Sequence, residues 1–230
     1  MPGLTDDGSA AAPGSCISSA DTAWVLLSFV LVLSMFGGLG LFEASLLQAK
    51  HTISVLVQVM VGLITLSVLW DVVGFTLVYG KTQGGLIGGM EHTFLLGVPY
   101  DDCNAFAPTI PAAAFAMFQM LFAAISPLLM TGAFAERLRF WPSFILIVGW
   151  EVLVYYPVAH WVWGGGWLST TFEVKDFAGG IVVHTTAGVG AIGETTQALA
   201  PLPPPCPHRN LIFRSFLSVQ WLYCHCQCAP

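Results

Sequence analysis

Long, charge-free apolar runs alternate with short polar stretches along this chain. The alternation predicts five helices, over 22–47, 53–79, 108–134, 141–161 and 177–199. Each run approaches or exceeds the ~20 residues a helix needs to cross a hydrocarbon layer. The runs are continuously apolar, which favours helices over barrel strands, where about ten alternating residues suffice. Gly37, Gly38 and Gly40 fall late in the first run, where they permit close packing or a bend. The expected architecture is an all-α integral membrane domain over 21–200. A polar, acidic segment, 1–20, precedes it, and a Pro- and Cys-rich segment, 201–230, follows.

Composition supports a membrane domain: 56% of residues are hydrophobic and only 9% are charged, against about 25% charged in ordinary soluble domains. The net charge of -6 comes from acidic residues scattered through ends and loops, and no basic cluster points to nucleic acid. The first twenty residues lack a basic n-region and an apolar h-region, so the first apolar run is expected to direct insertion itself. Lys50, Arg137 and Arg139 follow the first and third runs. The loop after the second run sets Lys81 against Glu91, Asp101 and Asp102, and the loop before the fifth sets Lys175 against Glu173 and Asp176. This Lys/Arg bias places the N-terminus and the even-numbered loops outside. Cys16 and Cys103 would then share the outer side, where a disulfide is permitted. Beyond Pro201 the ligand spacing of Cys224, Cys226 and Cys228 is too tight for a zinc finger, and no metal or cofactor is expected.

The richest chemistry lies in Asp176-Phe-Ala-Gly-Gly-Ile-Val-Val-His184. An ionisable group within an apolar run is expensive and marks a functional candidate. On a continuous helix, Asp176 and His184 would stand roughly 12 Å apart along the axis. That is too far for an acid–base dyad, so no enzyme activity is expected. Asp176 reads either as a direct cation ligand or as a cap accepting from N–H groups around Ala178–Gly179, and capping is favoured. Gly180, His184 and Gly188 recur every fourth residue, a stripe that admits close approach of a neighbouring helix. His184 is a pore relay or a helix-bridging histidine. Phe118 and Phe122 share one helix face, as gate or as core packing. Trp163 offers either a cation–π surface or an interface-belt indole.

Several stretches in order resemble the ammonium transporter family (Amt/Mep/Rh). They are Asp21-Thr-Ala-Trp-Val, Gly38-Leu-Gly-Leu-Phe42, Leu69-Trp-Asp-Val-Val-Gly-Phe75, Phe118-Gln-Met-Leu-Phe122, Gly132-Ala-Phe-Ala-Glu-Arg-Leu-Arg-Phe140, Pro157-Val-Ala-His-Trp-Val-Trp-Gly-Gly-Gly166 and the Asp-Phe-Ala-Gly-Gly motif. Together they cover about 21–191. The resemblance implies the first half of an eleven-helix, inverted-repeat fold that assembles as trimers. It implies an outer recruitment site of Trp163, Phe118 and Asp176, a gate of Phe118 and Phe122, and a pore relay at His184. The implied activity is passage of ammonium or ammonia, with methylammonium as a possible analogue, through an apolar pore in the plasma membrane. Ammonium losing its water there becomes a stronger acid. The second pore histidine of the family belongs to the other half. A frameshift or retained intron would account for the change of composition after 200. The alternative reading is therefore a non-transporting fragment that associates with full-length siblings. Glu43, Asp71 and Glu151 are more charged than the resemblance leads one to expect.

Overall fold

A computed structural model describes residues 16–100, 102–135 and 138–199. Most of the segment 1–20, Asp101 and Arg137 of the orientation argument, and all of 201–230 with its cysteines lie outside the described residues.

Among the described residues, six helical segments of five residues or more follow one another. Helix α1 is Ser19–Leu46, α2 is Ala49–Tyr79 and α3 is Ala112–Phe134. Helix α4 runs Phe140–Trp150, passes through a π-helical segment, Glu151–Tyr155, and ends as Tyr156–Val162. The short α5 is Trp167–Thr171. Helix α6 begins with the π-helical Gly180–Thr185 and continues as Thr186–Leu199. Among the described residues, four helices are long and apolar enough to cross a membrane, with Gly180–Gly193 a shorter apolar helix. The protein is thus mostly helical and built for a membrane.

The start of α1 is fixed by the sequence: Ser18 takes an extended conformation and its hydroxyl accepts from the Asp21 N–H at 3.3 Å. Its inward stripe is Phe36, Gly40, Glu43 and Ala44, spaced at helical intervals against α2 and α3. Leu26, Val30, Leu33 and Leu41 face outward. Such a continuous apolar exterior suits lipid rather than water. At Gly40 the Leu56 Cδ2 comes close enough that a Cβ would sit 3.2 Å from it.

Two short hairpins interrupt the all-α expectation. Strands β1 (Thr82–Gln83) and β2 (Ile87–Gly88) pair antiparallel, as do β3 (Cys103–Asn104) and β4 (Ala107–Pro111). The third helix therefore begins at Ala112 rather than at 108, because Pro111 ends the strand and opens the helix. Cys16 and Cys103 form a disulfide across 87 residues, and the Ser18 N–H donates to Thr109 O at 2.8 Å. The N-terminal approach to α1 is thereby fastened to the second hairpin. This disulfide also accounts for the Cys16, Asp102, Cys103 cluster, whose sulfurs are spent on each other.

Candidate functional site

Successive long helices run in opposite directions, so the end of α2, the start of α3, the end of α4 and the start of α6 meet at one end of the molecule. Both hairpins lie at that end. There the helix ends and the second hairpin border an open cavity of about 610 Å³, with Phe118, Phe122, Trp163 and Asp176 among its lining residues. Four of the five residues singled out from sequence come together in it, drawn from three separate segments.

Phe118 and Phe122 meet edge to face with centroids 5.0 Å apart, and Phe122 stands 6.4 Å from Trp163 in a second edge-on contact. Edge-to-face packing leaves ring faces free to meet another group. The indole is held by its N–H, which donates to Asp176 O at 3.0 Å. The same residue's side chain sits at the cavity edge and reaches the start of the next helix. Asp176 Oδ1 accepts from the Gly180 N–H (2.8 Å), and Oδ2 accepts from Ile181 (2.8 Å) and Val182 (2.9 Å). Partial burial pushes this carboxyl upward, but N–H donors from Val182, Ile181, Gly180 and Gly179 outweigh it and hold it below the usual carboxylate range.

The donors fall later than expected from sequence. Residues 176–179 are not helical: Gly179 takes a left-handed conformation (φ +74°), and the helix begins only at Gly180. The assumed axial offset between Asp176 and His184 on one continuous helix does not apply. His184 lies in the π-helical opening of α6, exposed, and does not line the cavity.

Sequence reasoning missed part of the wall. Tyr79, Phe106 and Phe115 form an edge-to-face cluster, Tyr79 lying 5.1 Å from Phe106 and 4.9 Å from Phe115. Phe115 and Gln119 line the cavity beside Phe118 and Phe122. Positions 115, 118, 119 and 122 repeat at the i, i+3, i+4, i+7 spacing of one helix face, which was a readable signal. Lys175 also lines the cavity. His160, to which sequence assigned nothing, is fully buried. Its Nδ1 lies 2.7 Å from Val78 O, so Nδ1–H donates there, leaving Nε2 to accept from the Thr82 hydroxyl at 3.0 Å. Both ring nitrogens are spent on tying α4 to the end of α2. Nearby, a Cβ on Gly164 would overlap Val78 O. Three residues before Trp163, this clamp sets the height of the indole.

The fold and this aromatic, carboxylate-edged cavity define a helical membrane protein with a solvent-open vestibule at one end. The sequence profile described as the Ammonium Transporter Family matches residues 23–196, and the chain belongs to that family. It is 56% identical over 172 residues to "Ammonium transporter 1" of Dictyostelium discoideum, covering 75% of this chain and 37% of that protein. It is 40% identical over 172 residues to the "Ammonium transporter" of Bacillus subtilis, covering 75% and 42%. Among solved structures, Candida albicans Mep2 matches with a TM-score of 0.69 at 32% identity, over 77% of this chain and 38% of that one. Saccharomyces cerevisiae Mep2 matches with a TM-score of 0.72 at 28% identity, over 90% and 46%. The chain thus spans about two-fifths of the length of the curated relatives it matches.

Proposed function

We propose that the chain carries the recruitment vestibule and one wall of an ammonium-conducting pore. The observation that supports this reading is the convergence of Phe118, Phe122, Trp163 and Asp176 on one cavity. An ammonium ion entering it meets the indole of Trp163, a surface that attracts cations by about 0.5–2 kcal/mol. Asp176 acts at one remove. Its oxygens are engaged by backbone N–H groups, so it holds the vestibule wall and lends negative potential rather than ligating the ion. Phe118 and Phe122 close the inner side of the vestibule, and the ion sheds water on passing them. Desolvation favours ammonia over ammonium, and the neutral molecule continues past His184, whose imidazole both donates and accepts a hydrogen bond. The apolar part of α6 serves as a fifth span, giving the first half of an inverted-repeat fold with the vestibule outside the cell. The opposite wall comes from a second half or from a full-length sibling in a trimer in the plasma membrane.

The test is methylammonium uptake by a full-length version carrying Trp163→Leu. Apparent affinity should fall by about 2- to 30-fold, the equivalent of 0.5–2 kcal/mol. An unchanged concentration dependence at equal surface level would return Trp163 to the interface belt.

A further inference from the structure

At the end of the bundle opposite the vestibule, a small cavity of about 10 Å³ lies between α2, α3 and α4. Its polar wall is Gln58, Thr131 and Ser143, and its apolar wall includes Phe134, Phe144 and Ile147. The three polar residues are 5%, 1% and 2% exposed. Gln58 Nε2 is directed at Ser54 Oγ (3.4 Å), while its Oε1 is buried without a partner. The Ser143 hydroxyl donates to Arg139 O at 3.0 Å. The Thr131 hydroxyl lies against Glu43 Oε2 and Leu128 O, so its one proton is committed there. Each hydroxyl has donated its hydrogen elsewhere and keeps only lone pairs for the cavity. Three acceptor oxygens therefore border a space large enough for one water-sized molecule, with the second N–H of the Gln58 amide as the remaining side-chain donor beside them.

We propose that this cavity binds one water-sized molecule supplying at least two hydrogens, either water or its near-isostere ammonium, and that this molecule bridges α2 to α3 and α4. The bridge answers the unpaired Gln58 oxygen, which a dry cavity would leave buried at a net cost. Water fits by neutrality. Ammonium fits by its four donors, by the phenyl rings in the wall, and by the Glu43 carboxyl behind Thr131, which accepts from that hydroxyl. The proposal does not depend on transport.

Its test is a density map of the purified chain in nanodiscs, at a resolution that shows ordered water, first in sodium buffer and then in ammonium buffer of equal ionic strength. A peak is expected within about 2.7–3.2 Å of Gln58 Oε1. Water gives the peak in both buffers and no ammonium-specific rise in thermal midpoint. Ammonium gives a rise that survives Trp163→Leu, which removes the vestibule indole, and is lost in Gln58→Leu. No density in either buffer, with Gln58→Leu as stable as the parent or more so, overturns the proposal. Should Gln58→Leu fail to fold, Ser143→Ala removes a single acceptor; the peak should weaken or move, and an empty map in the parent remains decisive.

Discussion

Replacing Asp176 by alanine is the most direct probe of how the vestibule is built. The change strands the N–H groups of Gly180, Ile181 and Val182, which now meet carboxylate oxygens at 2.8–2.9 Å. Hydrogen bonds to a charged partner contribute about 1.5–3 kcal/mol each when dry. Asp176 is only half-buried, so water takes over part of this role. Loss of a helix cap typically costs about 0.5–2 kcal/mol, and the upper end, ~2 kcal/mol, is expected here. That corresponds to roughly a 30-fold shift in the opening equilibrium of the first turn of α6. Asp176→Asn should fall between: its one remaining carbonyl oxygen can keep the Ile181 and Val182 bonds held by Oδ2 and lose the Gly180 bond at Oδ1. Amide hydrogen exchange at those three residues is the assay, since it reads local opening. The pH dependence has a definite sign. The folded carboxyl titrates below its ordinary value of 3.8. Its stabilisation is therefore complete above about that pH and is lost as pH falls below it. Unchanged exchange in Asp176→Ala, together with loss of ammonium binding, would refute the capping argument and make the carboxylate a direct ligand.

Other outcomes follow from the same geometry. Gly164→Ala should lower the thermal midpoint by the equivalent of about 1–3 kcal/mol, because the new Cβ overlaps Val78 O beside the His160 clamp. A midpoint within error of the parent would mean that α4 and the end of α2 are not packed as described. Cys103→Ser should abolish the mobility shift seen on reduction in a denaturing gel and cost about 2–4 kcal/mol; a persistent shift would mean that Cys16 has another partner. The 230-residue polypeptide alone should not restore growth on low ammonium in cells without their own transporters. Its His184 is exposed, and an open polar face is not tolerated in lipid. Robust uptake by that form, with no full-length partner present, would show that one wall suffices.

The helices were legible because lipid demands long apolar runs, and Ser18, Pro111 and Tyr79 lie within a few residues of the expected ends. The hairpins were not, since strands of two to five residues leave no periodicity to read. The aromatic wall was legible in part: one helical stripe holds Phe115, Phe118 and Phe122, but the partners Tyr79 and Phe106 arrive through tertiary contact alone. His160 was silent for a similar reason. Nothing in its neighbourhood announces that a carbonyl from residue 78 and a hydroxyl from residue 82 will complete it.

Two of the three anomalous acids, Asp71 and Glu151, follow a rule that helical periodicity hides, while Glu43 lies in the regular helix α1. Asp71 lies in the π-helical segment Trp70–Gly74, Glu151 opens Glu151–Tyr155, and His184 lies in Gly180–Thr185. Each π-helical segment among the described residues thus holds an Asp, Glu or His side chain inside an apolar helix. A π segment inserts a residue into the α ladder and turns the side chains after it, and such segments gather at functional sites. A charge placed on an α-helical wheel would point at random with respect to its neighbours. The bulge re-aims it, as where Tyr156, directly after the second segment, reaches back to donate to Glu151 Oε1 at 2.9 Å. The β-branched and glycine residues that fill these segments carry the same polarity in either geometry. A sequence reader using a 3.6-residue period therefore recovers the helix and misplaces the face. This is why the stripe of Gly180, His184 and Gly188, regular in sequence, crosses from a π turn into an α-helix partway along.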